Sequence, residues 1–208
     1  MARSRLTGAS TKSPPGFDSQ MIKIRPATDA DHDAIWKIFH EIISAGDTYA
    51  LDQRMSRDEA LAYWFRADTQ TYVAELHRQS VGEAVGFPGT ATASPTGGIK
   101  DQVIVGTYIL RPNQSGGGSH VANAAFMVAR DSEGLGVGRR MAEHCLSEAR
   151  RMGFHAMQFN FVISTNTRAI RLWKRLGFEI VGTLPGAFRH PEKGYVDVYV
   201  MYRSLIDD

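Results

Sequence analysis

Residues 121–153, VANAAFMVARDSEGLGVGRRMAEHCLSEARRMG, constrain the chain more than any other stretch. Residues 124–128 are a short apolar run that reads as a buried strand. After a polar stretch comes Gly134-Leu135-Gly136-Val137-Gly138. Val137, Met141 and Cys145 then recur at helical spacing, and Gly153 closes the segment. The order is strand, glycine loop, helix. A glycine loop at a helix N-terminus presents free backbone N–H groups and the positive end of the helix dipole, which favour a bound phosphate or pyrophosphate.

The spacing narrows the ligand. A dinucleotide loop requires G-x-G-x-x-G directly after its strand, whereas this loop reads G-x-G-x-G and begins several residues after Val128. No G-K-[ST] follows, which excludes the nucleotide-triphosphate loop. Spacing alone leaves open a glycine turn that only packs a helix on a sheet.

The chain has 208 residues, enough for one domain with a real core. Residues 1–20 are rich in Ser, Thr, Gly, Pro and Arg with little apolar content, and are expected to be a disordered leader. Residues 21–208 are then read as a single domain. The formal net charge of +2 gives no pointer to nucleic acid or a membrane surface. The lone cysteine excludes an intramolecular disulfide and fits a reducing, cytoplasmic setting. No stretch is long and apolar enough to span a bilayer, and no signal peptide is evident.

Residues 21–25 alternate as a first strand ended by Pro26. Thr28 or Asp29 caps a helix carrying Ile35, Ile38, Phe39 and Ile42, which Gly46 stops. Ser56-Arg57-Asp58-Glu59 is a capping box for a second helix with Leu61, Trp64 and Phe65. The intervening Gly46-Asp47-Thr48-Tyr49 reads either as a plain interhelix turn or as a pocket wall. Residues 71–76 and 103–110 are the next two strands, separated by a Gly/Ala/Pro/Ser/Thr-rich excursion at 80–98. Residues 111–120 read as a turn.

After the fourth strand and its helix, residues 155–163 form a fifth strand. Met157, Phe159, Phe161 and Ile163 are expected on one face, with Gln158 and Asn160 on the other. Asn160 reads as a hydrogen-bonded core asparagine or as a substrate contact. Thr165-Asn166 opens a helix bearing Ala169, Leu172, Trp173 and Leu176, and Gly177 ends it. Residues 178–183 are a sixth strand, 182–195 a long loop with His190 and Glu192, and Val196, Val198 and Val200 alternate in a seventh. The pattern predicts an α/β (α+β) fold with about seven strands and about four helices.

Two motifs carry a family resemblance. Glu133-Gly134-Leu135-Gly136-Val137-Gly138 resembles motif A of the GCN5-related N-acetyltransferases, Q/R-x-x-G-x-G/A, with Glu133 in place of Gln or Arg. The segment NTRAIRLWKRLGF, from Asn166, resembles motif B, with Trp173 where the family has tyrosine. The resemblance implies a mixed, mostly antiparallel seven-stranded sheet, with acetyl-coenzyme A as cosubstrate and no metal. It implies that Gly134, Gly136, Val137, Gly138, Arg139, Asn166 and Trp173 hold coenzyme A. It also implies that the backbone at Phe126, Met127 and Val128 pairs with the pantetheine arm and supplies the oxyanion N–H. Glu133 is expected to point away from the phosphates. Asn123 stands on the strand where many relatives carry a basic glutamate, and Trp173 cannot protonate a leaving thiolate.

Gly46-Asp47-Thr48-Tyr49, Tyr63-Trp64-Phe65, Gly106-Thr107-Tyr108, Arg111-Pro112-Asn113, Ser119-His120, Asn123-Ala124 and Phe159-Asn160 are similar to the fungal branch that detoxifies proline analogues such as azetidine-2-carboxylate. That implies Asn123 and Asn160 as catalytic-site residues holding a small imino acid. Other acceptors in the family are primary amines: phosphinothricin-like amino acids, polyamines and protein termini. Another alternative is a coenzyme-A-binding module without turnover. A homodimer is common in the family, and no sequence feature decides it.

Overall fold

The computed structural model describes residues 21–78 and 101–206. The expected leader at 1–20 and the excursion at 80–98 lie outside the described residues. The elements run β1 (Met21–Pro26), α1 (His32–Ala45), α2 (Arg57–Trp64), β2 (Gln70–Arg78), β3 (Asp101–Pro112), β4 (Val121–Val128), α3 (Val137–Arg151), β5 (Ala156–Ile163), α4 (Thr167–Arg175), β6 (Glu179–His190) and β7 (Gly194–Ser204). The strands form one seven-stranded sheet in the order β1-β2-β3-β4-β5-β7-β6. Every pairing is antiparallel except β4 with β5. Seven strands and four α-helices are the counts the residue pattern predicts, and the mixed, mostly antiparallel sheet is the one the family resemblance implies.

Caps set the helix ends as the sequence indicates. Thr28 and Asp31 form a capping box around a single 3-10 turn that leads into α1. Gly46 ends α1 with φ 64°, a left-handed conformation that favours glycine. Ser56 and Glu59 cap each other reciprocally at the start of α2. The apolar stripe of α1 (Ile35, Ile38, Phe39, Ile43) packs with Trp64 of α2 on Val73, Ile109 and Met127 of the sheet. Met141, Cys145 and Ala149 of α3 and Trp173 of α4 pack on the opposite face with Tyr108, Ala124 and Phe159. The sheet is therefore covered on both faces, as period-2 strands between amphipathic helices require.

The feature that makes a site is the β4–β5 junction. The two strands pair only at Val121↔Ala156 and Ala122↔Met157. Beyond that point the ladder stops, and Asn123 Nδ2 donates to the Gln158 carbonyl at 2.8 Å. A side-chain amide thus takes over where backbone pairing ends, and the strands splay past it.

Three sequence expectations change. Strand β3 continues to Pro112, so Arg111 sits on a strand, opposite Asn123 of β4, and not in a turn. Strand β5 loses its alternation: Phe161 is exposed, whereas Val162 and Ile163 are both buried. The cause is a register shift against β7 between Phe159 and Val162, which turns one residue over. The supposed long loop at 182–195 is mostly β6, which forms a hairpin with β7. Shifts at Ile180/Gly182 and Leu184/Phe188 absorb the Pro185-Gly186 irregularity, and the Gly186 N–H donates to Asp197 at 2.9 Å.

Candidate active site

Two cavities meet at the splayed junction. The larger, about 840 Å³, runs along the glycine loop and α4. Gly134, Gly136, Val137, Gly138 and Arg139 line it, together with Phe126, Val128, Asn166 and Trp173. Gly134 (φ 87°) and Gly136 (φ 80°) are both left-handed, and a Cβ on either would meet only open space. They are glycines because the backbone turn demands it, and they leave room for a ligand against exposed N–H groups. A Cβ on Gly138 would sit at ordinary contact distance from Val128 and Leu172, so space at that position does not demand glycine.

Five arginines line this cavity: Arg130, Arg139, Arg168, Arg171 and Arg175. Of the acids that share the lining, Glu133 pairs with Arg168 at 2.6 Å. Glu133 therefore does not turn away as expected: it lines the cavity with its charge neutralised. The cradle suits a polyanion such as the pyrophosphate of coenzyme A. The arginines of α4 escape a motif search. Their spacing of three and four residues nevertheless puts Arg168, Arg171 and Arg175 on one helical face.

The smaller cavity, about 330 Å³, lies on the α1/α2 side of the splay. Asn123, Asn160, Arg111, Tyr63 and Phe161 line it. Tyr49, Phe126, Asn166 and Trp173 line both cavities and form the wall between them. Of the residues expected to hold coenzyme A or the acceptor, Met127 lines neither: its side chain is buried in the α1/α2 core. Alternation on β4 sends Phe126 and Val128 one way and Met127 the other.

Each wall residue is held by several contacts. Asn166 accepts the Ala169 N–H at 3.1 Å and so caps α4 while facing both cavities. The Trp173 ring packs against Phe126, Phe159 and Phe178 at centroid distances of 5.0, 4.6 and 5.8 Å. Asn160 is exposed and not a core residue: it donates to Asn113 Oδ1 at 2.6 Å and accepts from Gln158 Nε2 at 2.7 Å.

Sequence reasoning flags the loop at Gly46-Asp47-Thr48-Tyr49 but not the role of Tyr49 itself. Its hydroxyl donates to the Phe126 carbonyl at 2.7 Å and accepts from the Phe126 N–H at 3.0 Å. Those are β4 backbone groups left without a ladder partner by the splay, and one tyrosine satisfies both. Burial pushes the Tyr49 hydroxyl well above the ordinary phenol range, so it stays protonated.

Other reactive side chains sit elsewhere. Cys145 is fully buried on α3 and burial raises its thiol, which makes it a core residue. His190 is buried in the β6–β7 hairpin, where its Nδ1 accepts from the Glu192 and Lys193 N–H groups. Neither His190 nor Glu192 lines either cavity. No helix among the described residues is long and apolar enough to cross a membrane.

A seven-stranded sheet splayed at one parallel pairing, with an arginine-lined glycine cradle beside the splay, defines an acetyl-coenzyme-A-dependent N-acetyltransferase. Residues 36–178 match the model of the Acetyltransferase (GNAT) family, and the chain belongs to that family. It is 35% identical over 159 residues to N-acetyltransferase aca1 of Schizosaccharomyces pombe, covering 76% of this chain and 72% of that protein. It is 28% identical over 164 residues to an L-methionine sulfoximine/L-methionine sulfone acetyltransferase of Pseudomonas paraeruginosa, covering 78% of this chain and 83% of that protein. A GCN5-related N-acetyltransferase from Kribbella flavida superposes with TM-score 0.74 at 39% identity, covering 88% of this chain and 97% of that one.

Proposed function

We propose that this enzyme acetylates the nitrogen of a small amino or imino acid, with a proline analogue such as azetidine-2-carboxylate as acceptor and detoxification as its use. The observation that carries this reading is the shared wall. An arginine-lined cavity sized for coenzyme A abuts a cavity of about 330 Å³ lined by uncharged amides, Asn123 and Asn160. Amides offer both donors and acceptors without charge, which suits orienting a small zwitterion.

In this reading the acceptor nitrogen attacks the thioester carbonyl directly, the C–S bond breaks and a C–N bond forms. The oxyanion falls to a β4 backbone N–H, with Phe126 the one whose partner is a side chain. Among the described residues none that lines the smaller cavity is acidic, so this reading has water take the proton of the amine. The same lack argues against polyamines, which need acidic walls. The name of the Pseudomonas relative, an amino-acid acetyltransferase, points to the same acceptor class.

Release of free thiol from acetyl-coenzyme A tests the proposal across azetidine-2-carboxylate, cis-4-hydroxyproline, methionine sulfoximine, spermidine and N-terminal peptides. Fast release with the first two is the expected result. Release with methionine sulfoximine alone replaces the imino acid by a primary amino acid. Release only with spermidine or peptides overturns the proposed acceptor class.

A further inference from the structure

Arg111 is unexplained by the fold. It lies near the end of β3, directly opposite Asn123 on β4, and lines the smaller cavity. Its guanidinium stands over the Tyr63 ring at 5.7 Å, which covers one face and leaves the N–H edge as its polar outlet. Its Nη1 is buried and has no hydrogen-bond partner. Among the described residues no carboxylate forms an ion pair with it. Asp68, whose carboxyl feels the Arg111 charge, is taken up by Arg66 at 3.0 Å. Every other described residue lining this cavity is uncharged.

A partly buried cation without a counter-ion is costly, and a protein retains one where a ligand completes it. A guanidinium offers a planar fork that matches a carboxylate with two parallel bonds. We propose that Arg111 is the carboxylate anchor of the acceptor site, so that the substrates are α-amino or α-imino acids bound through their carboxylate. The proposal rests on the acceptor class given above and deepens it. The division of labour is then physical: Arg111 fixes the acid end, while Asn123 and Asn160 orient the rest without competing for its charge. Amines that lack an acid group leave the guanidinium unpaired and bind poorly.

The test compares azetidine-2-carboxylate with its neutral carboxamide on wild type, Arg111→Met and Arg111→Lys. Wild type is expected to prefer the acid in kcat/KM on the order of a hundredfold. In Arg111→Met that preference collapses to near one through KM for the acid, with KM for acetyl-coenzyme A unchanged. Arg111→Lys keeps the charge, loses the fork and retains part of the preference. Thermal melting confirms that each variant is folded. If Arg111→Met is folded and discriminates as wild type does, the anchor is overturned while the acceptor class stands. If wild type acetylates neither compound, both the anchor and the acceptor class fall. Should Arg111→Met not fold, the Lys variant decides: an acid preference equal to that of wild type overturns the fork, and a reduced one supports it.

Discussion

Asn123 and Asn160 line the same cavity with different attachments. Asn123 bridges β4 to the Gln158 carbonyl, so its amide holds the splay. Asn160 bonds only side chains and is exposed. Asn160→Ala is therefore expected to leave the melting temperature nearly unchanged while raising KM for the imino acid about tenfold or more. Asn123→Ala should cost about 1 kcal/mol of stability as well as activity, because a backbone carbonyl loses its donor. Denaturant melts of both variants, run beside steady-state kinetics, separate the two roles. Tyr49→Phe tests the wall between the two cavities. It strands the N–H and carbonyl of Phe126 at an expected cost of about 1–3 kcal/mol in the ligand-free enzyme. A pantetheine arm pairing with this backbone would re-satisfy those groups, so saturating coenzyme A should narrow the melting gap between variant and wild type.

Among the elements, α4 does more than its motif indicates. Its inward side supplies Trp173 to the wall, and Arg168, Arg171 and Arg175 face the coenzyme cavity. Arg171→Ala is expected to raise KM for acetyl-coenzyme A several-fold and to leave KM for the amine alone. The effect should shrink as ionic strength rises and screens the exposed guanidinium. Kinetics at two salt concentrations check this. The charge on this face is readable from sequence spacing, because three positions at helical intervals share a side whatever packs against the other. What spacing does not reveal is that the same face meets the glycine loop of α3. Strand β5 gives the opposite lesson. Its alternation fails between Phe159 and Val162 because β7 imposes a register shift, an event on another strand.

At the scale of the molecule, an ion network ties β1 and β2 to the entry of α1. Arg25 bonds Asp31 at 2.7 Å and Glu75 at 3.0 Å. Hydrogen bonding to Arg25 holds the Asp31 carboxyl at about 2, below its usual value of 3.8. A lowered carboxyl stabilises the fold above its unfolded value, and the contribution fades as pH falls from about 4 through 2. For Asp31, which is almost wholly buried, that contribution is about 2 kcal/mol. Glu148, held at about 2 mainly by Arg151, fades in the same window. Asp31→Asn should therefore be less stable at neutral pH and show a shallower loss between pH 4 and 2 in denaturant melts.

The order of strands and helices, the caps at Ser56 and Asn166 and the glycine cradle follow from local chemistry. Period, capping side chains and left-handed turns act over a few residues, and all of them are visible in the sequence. The acceptor cavity arises from long-range placement. Arg111, Tyr49, Asn123 and Asn160 come from four separate segments, and a β-strand has two edges that the local pattern cannot assign to neighbours. Only the assembled sheet decides that β4 and β5 pair at two positions and then part. That parting leaves backbone groups and one guanidinium facing a space between strands.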